Sequence, residues 1–340
     1  PESGKCYLKF IYHLKKELPL LDEDHILGFD EIEVSQKDAK CQLAEKWVEK
    51  TVTDSELQVS EDDTQIHIKG REFAYTIDRR TALFTEMKFA GREYLNHPME
   101  LNIWRAPTDN DMYIKSEWKK AHYDKAYTRA YTTEVVQGKH GVKITSHASV
   151  VAETVQKILD VTITWKIEAA GKIDADIAVT KDDEFPDLPR FGVRMFLDKK
   201  LSAARYFGMG PQESYCDKHQ AASHGLYQAN VDDLHENYIR PQENGSHYDC
   251  EYVELNNSRY GIVASAEKAF SFNASYYTQE ELEKKTHNYE LTESDSVVFC
   301  VDYALNGIGS NSCGPVVLEQ YRFDDVLFRF QFTLIPYVKG

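Results

Sequence analysis

The 340-residue sequence contains no run of about 18 apolar residues, which excludes a membrane-spanning helix. Positive charge is in deficit: 40 Lys and Arg stand against 56 Asp and Glu, a net charge of −16. Such a surface repels phosphate backbones and anionic lipid, so neither nucleic-acid nor membrane-surface binding is expected. A soluble protein with a neutral ligand, such as a sugar, fits better. The six cysteines (Cys6, Cys41, Cys216, Cys250, Cys300 and Cys313) form no C-x-x-C pair, which argues against a structural zinc site. Their low density argues against a disulfide scaffold. Reduced thiols in a cytoplasmic protein are expected, with Cys313 as a packed thiol. The first residues carry neither an apolar h-region nor an initiating Met, so a processed or excised fragment is expected. Helical periodicity is scarce, and nothing resembles eight alternating strand–helix units, so a (β/α)₈ barrel is not expected here.

Aromatic residues and period-2 alternation are plentiful. The 16 Phe, 21 Tyr and 4 Trp suffice for a large core. Val161, Ile163, Trp165 and Ile167 alternate with polar residues, as do Ile173, Ala175, Ile177 and Val179, with a hairpin turn at 169–172. The same pattern recurs at 73–77, 191–197, 297–303 and 328–332. Each such segment buries one face of a pleat and wets the other. The fold class is mainly β, a large antiparallel β-sandwich. Two short helical stretches are expected, over 116–126 and after Thr278, whose hydroxyl can cap amides with Glu281 three residues on. Residues 1–35 hold too few strands for a core of their own. Residues 36–63 are polar and read as a connector, and 64–340 as the main domain.

Four polar stretches interrupt the strands. W-R-A-P-T-D-N-D at 104–111 offers Arg105, Asp109 and Asp111, either for a cation or hydroxyls or, as preferred, for locking a loop. G-M-G-P-Q-E-S-Y at 208–215 lacks the residues of a phosphate loop; Glu213 is either a sugar-hydroxyl acceptor or a buried structural carboxylate. Y-I-R-P-Q-E-N-G-S-H at 238–247 brings Glu243 and His247, and Asn244-Gly245 is the strongest two-residue hairpin signal in the chain. G-I-G-S-N-S-C-G-P at 307–315 permits close backbone approach. His219, His224, His235 and His247 lack metal-site spacing and are expected to be hydrogen-bonded or at the surface. On these residues alone the reading stops at a large acidic β-sandwich, possibly sugar-binding.

Together the blocks resemble the C-terminal half of glycoside hydrolase family 2 β-galactosidases. The stretches at 104–111, at 208–215 with Asp217, and at 238–245 look like that family's W-R-A-P-x-D-N-D, G-x-G-P-x-E-x-Y-x-D and Y-x-x-P-Q/S-E-N-G blocks. Phe272, Asn273, Tyr276, His287 and the loop at 307–309 follow in order. The resemblance implies a galactose mutarotase-like supersandwich over 64–340, preceded at 1–35 by the closing strands of an immunoglobulin-like domain. It implies a retaining mechanism whose glutamates, with magnesium and sodium, sit on a barrel outside this sequence. No catalytic residue, metal site or cofactor is therefore assigned to this chain. Asn311, Ser312 and Cys313 become candidates for the substrate rim, in a loop that lacks the family's stacking Trp. Implied partners are the catalytic barrel domain or large subunit, a galactoside, and further copies in a homo-oligomer. The isolated chain is then expected not to cleave an aryl galactoside. Two alternatives compete: a mutarotase-like isomerase using Glu213, Glu243 or His247 as acid and base, and a non-catalytic carbohydrate-binding or assembly module.

Overall fold

The computed structural model describes residues 4–37, 57–154 and 157–339. Cys41 and most of the expected connector lie outside these. The chain opens with an antiparallel hairpin of β1 (Gly4–His13) and β2 (Ile26–Lys37). A five-stranded sheet follows, of β3 (Gln58–Glu61), β4 (Gln65–Lys69), β5 (Phe73–Asp78), β6 (Leu83–Phe89) and β7 (Arg92–Glu93). Thus residues 58–61, within the stretch read as connector, are strand and pair with β4.

A twelve-stranded antiparallel sheet contains the rest: β8 (Leu95–Asn102), β9 (Tyr127–Gln137), β10 (Gly141–Val151), β11 (Leu159–Glu168), β12 (Ile173–Lys181), β13 (Arg190–Asp198), β14 (Ala203–Gly210), β15 (Ser223–Asn230), β16 (Ser246–Asn256), β17 (Tyr260–Ser275), β18 (Ser296–Leu305) and β19 (Leu327–Val338). One path runs β15-β14-β16-β17-β19-β12-β11-β10-β9, and β18, β13 and β8 branch from β17. The branch arises within a single strand: residues 260–265 of β17 pair with β19, and 271–275 pair with β18.

The mainly β, antiparallel class read from the alternation is what the chain adopts. Ile163, Trp165, Ile173 and Ile177 are fully buried, with their polar neighbours turned outward. The small sheet covers this apolar face. Phe84 meets Trp165 edge-on at 4.9 Å, Trp165 Nε1 donates to the Ala82 carbonyl (2.8 Å), and the Tyr75 hydroxyl donates to the Gly171 carbonyl (2.7 Å). The helix Ile114–Lys120 buries Trp118, and Thr278 caps the helix Gln279–Lys284 by accepting the Glu281 amide (3.1 Å). One local reading fails. Asn244-Gly245 does not close a hairpin, because no strand lies between β15 and β16. Gly245 instead takes φ +71° to donate its amide to Glu213 Oε2 (2.8 Å), where a side chain would run into the Leu234 carbonyl.

The first hairpin leaves Leu8, Phe10, Ile32 and Val34 exposed, in keeping with strands that enclose no core of their own. It is tied to β15 by polar groups. His224 lies between two carboxylates, Glu31 Oε1 at 2.6 Å from Nδ1 and Asp249 Oδ2 at 2.8 Å from Nε2, and its ring stacks on Tyr7 at 4.1 Å. Ionised carboxylates only accept, so satisfying both requires a proton on each ring nitrogen. Burial alone would lower the imidazole pKa, but Asp249 and Glu31 carry it above its ordinary 6.5. The tie therefore contributes fully below pH 6.5 and weakens as pH rises through the elevated value. Thermal melting of the wild type at pH 6 and pH 8 should show this loss, and His224→Gln should flatten it; an equal pH response in both proteins would remove the imidazolium from the account.

Candidate functional site

Two of the polar stretches, far apart in sequence, reach the 307–315 loop directly, and a third braces the first of them. Arg105 is fully buried and forms a forked pair with Asp111, Nε to Oδ2 at 3.1 Å and Nη2 to Oδ1 at 2.7 Å. Its remaining donors reach the carbonyls of Asn306 (2.5 Å) and Gly307 (3.1 Å), at the base of the 307–315 loop. Asp217 accepts the amides of Ile308 (2.9 Å) and Gly309 (2.7 Å). Asn110 donates to the Gly309 carbonyl (2.6 Å) and accepts from the Ser312 hydroxyl (2.8 Å). Glu243 donates its amide to the Ala106 carbonyl (2.9 Å), and the Asp109 amide donates to Gln242 Oε1 (3.0 Å), so the 238–245 stretch braces the 104–111 stretch from behind.

This arrangement fixes an exposed loop. The loop carries Ser312 and Cys313 exposed and Asn311 half-buried, so all three rim candidates lie together near the surface. Cys313 is thus not the packed thiol expected: Gly309 at φ +66° and the 310–314 turn lift it off the sheet. Asn110, Asn306, Asn311, Met112, Tyr113 and Val316 line a neighbouring cleft of about 580 Å³. Met112 (42% exposed), Tyr113 (61%) and Val316 (60%) give it exposed apolar walls.

The acid–base candidates sit differently. Glu243 is 4% exposed and bonds Arg190 Nη1 through both carboxylate oxygens at 3.3 Å; Arg190 also pairs with Asp302 (2.5 Å). Glu213 is taken up by Lys218, the Tyr238 hydroxyl and the Gly245 amide. His247 is 1% exposed, between Tyr206 and Phe272, and burial pushes its pKa down to about 4. It is therefore a neutral core imidazole near pH 7. Burial also pushes the Cys216 and Cys300 thiols up to about 11, which withholds the thiolate form. Among the described residues, no three His, Cys, Asp or Glu gather to hold a metal ion. Arg105 and Asp111 lock a loop, as the preferred reading had it. The holding roles of Asn110 and Asp217 were not read from the sequence, although both lie inside quoted blocks.

An antiparallel β domain that secures one exposed loop through separated motifs defines the class, and sequence comparison supplies the family. The chain belongs to the β-galactosidase small chain family, whose model matches residues 69–334. The β-galactosidase of Actinobacillus pleuropneumoniae is 42% identical over 328 residues, which are 96% of this chain and 32% of that protein. That of Staphylococcus xylosus is 31% identical over 324 residues, with 95% and 32% covered. The chain spans about a third of the length of these curated relatives. Among solved structures it is similar to a galactose 1-epimerase from Lactobacillus acidophilus NCFM, at a TM-score of 0.42 and 8% identity, over 84% of this chain and 99% of that one.

Proposed function

We propose that this chain is the C-terminal part of a β-galactosidase of glycoside hydrolase family 2, which hydrolyses terminal β-D-galactosides with retention of configuration. In that mechanism two carboxyl groups about 5 Å apart share the work: one is the nucleophile that forms a glycosyl-enzyme, the other protonates the leaving oxygen and then activates water. Both are assigned to a barrel-bearing portion outside this sequence, together with magnesium and sodium. The role of these residues is to wall one side of the sugar pocket, with Asn311, Ser312 and the Cys313 region presented by the loop. The reading is carried by one observation: Arg105, Asp111, Asn110 and Asp217 are all committed to holding that loop.

The test is complementation. The purified chain should not hydrolyse an aryl galactoside, and mixing it with the barrel-bearing portion of the same enzyme should restore turnover. In the restored enzyme, Asn110→Ala should raise KM about tenfold with a smaller change in kcat, because it loosens a contact surface and leaves the reacting groups in place. Hydrolysis by the chain alone, after contaminating enzyme is removed, would refute the proposal.

A further inference from the structure

We propose that the wedge where β17 passes from β19 to β18 is a saccharide-binding site, shaped for a neutral mono- or disaccharide. The branch in the sheet creates it. β17 pairs with β19 only as far as Ser265 and with β18 only from Ser271. Residues 266–269 match no strand in register, and 267–269 are exposed. Beside them β18 and β19 diverge, and the gap is a cleft of about 420 Å³. That volume falls in the range of small-ligand sites, about 300–1,000 Å³.

The lining sets the ligand class. Of the charged residues lining it, Asp249 is taken up by His224 and Arg329 by Asp176, which leaves Glu267 and Asp325 against Lys268 and Arg322 and no net charge to select an ion. Its aromatic wall is rigid: Tyr303 stacks on Phe328 at 4.9 Å and 14°, with Phe323 and Phe330 at 5.8 Å and 6.1 Å. The half-buried Tyr248, Tyr303 and Tyr321 also line it, and their hydroxyls make no hydrogen bond among the described residues. Asp249 lines the cleft beside its bond to His224 (2.8 Å) and takes φ +52°, a conformation few non-glycine residues adopt, at a register break in β16. An aromatic wall beside free hydroxyls suits a ring that is apolar on its faces and polar at its edge. Sugars have that form. The choice of sugar over another neutral ring rests on the β-galactosidase reading above.

The experiment is NMR titration of the 340-residue chain with galactose, lactose and galacturonate. Galactose or lactose should shift residues 267–271, 303–305 and 329–331, with a Kd of about 1 mM. Tyr303→Leu keeps an apolar side chain against Phe328 but loses the ring, and should weaken binding about tenfold. Lys268→Ala, on the exposed rim, tests the same cleft without touching the core. Asn110→Ala should leave binding unchanged. Shifts confined to 309–315, no shifts at tens of millimolar sugar, or galacturonate binding about tenfold tighter than galactose would each overturn the site. Complementation assays report on the β-galactosidase reading independently, so the two fail separately.

Discussion

Replacing Arg105 with Met is expected to lower stability by about 3–5 kcal/mol, the usual cost of removing one partner from a buried ion pair. Asp111 would keep a carboxylate that is nearly inaccessible to water, and the carbonyls of Asn306 and Gly307 would lose their donor. Urea unfolding should show the midpoint falling at an unchanged m-value. The double replacement Arg105→Met with Asp111→Leu should recover part of the loss, because it leaves no uncompensated charge. A single variant as stable as wild type would mean that the pair is not what holds the loop.

The second large effect lies at Arg190, fully buried between Asp302 and Glu243. Arg190→Met should also cost about 3–5 kcal/mol at pH 7. Here the pH dependence is informative. Burial already pushes both carboxyls above their ordinary values, against the pull of Arg190. Without the guanidinium that push is unopposed at Asp302 and is opposed at Glu243 by the more distant Arg105. The folded variant then binds protons more tightly than the unfolded chain, so its stability falls as pH rises through the elevated values. The deficit against wild type should therefore be largest near neutrality and should shrink as the medium is acidified toward the ordinary carboxylate range. Denaturant midpoints of both proteins at pH 5 and pH 7 measure it; a constant deficit would show that lost packing, not charge, is responsible.

Apart from the first hairpin, the strands that sequence reading located have inward faces that meet another apolar face. In β11 and β12, side chains alternate between complete burial and solvent, and that contrast is written directly in the residues. β9 escaped because it is a sheet edge: Tyr127, Tyr131 and Val136 are about half exposed, and its apolar and polar residues follow no clean period. The N-G pair at 244–245 misled because its positive φ serves a hydrogen bond to Glu213 and not a two-residue turn. The parts of the site were visible as polar stretches, but their assembly was not. Arg105, Asp217 and Gly309 lie on three different connections, and only the sheet topology decides that all meet at one loop. No periodicity within any one stretch encodes that meeting.

The position of β19 has a bearing on synthesis. The strand formed by Leu327–Val338 lies mid-sheet, between β12 and β17, and joins the two halves of the main path. Every earlier strand can leave the ribosome while these two edges still lack a neighbour. During that interval the nascent chain presents two long, apolar, hydrogen-bond-hungry borders, the kind that recruit other chains. Rapid insertion of Leu327–Val338, or a chaperone shielding the gap until that strand arrives, then becomes a condition of soluble production.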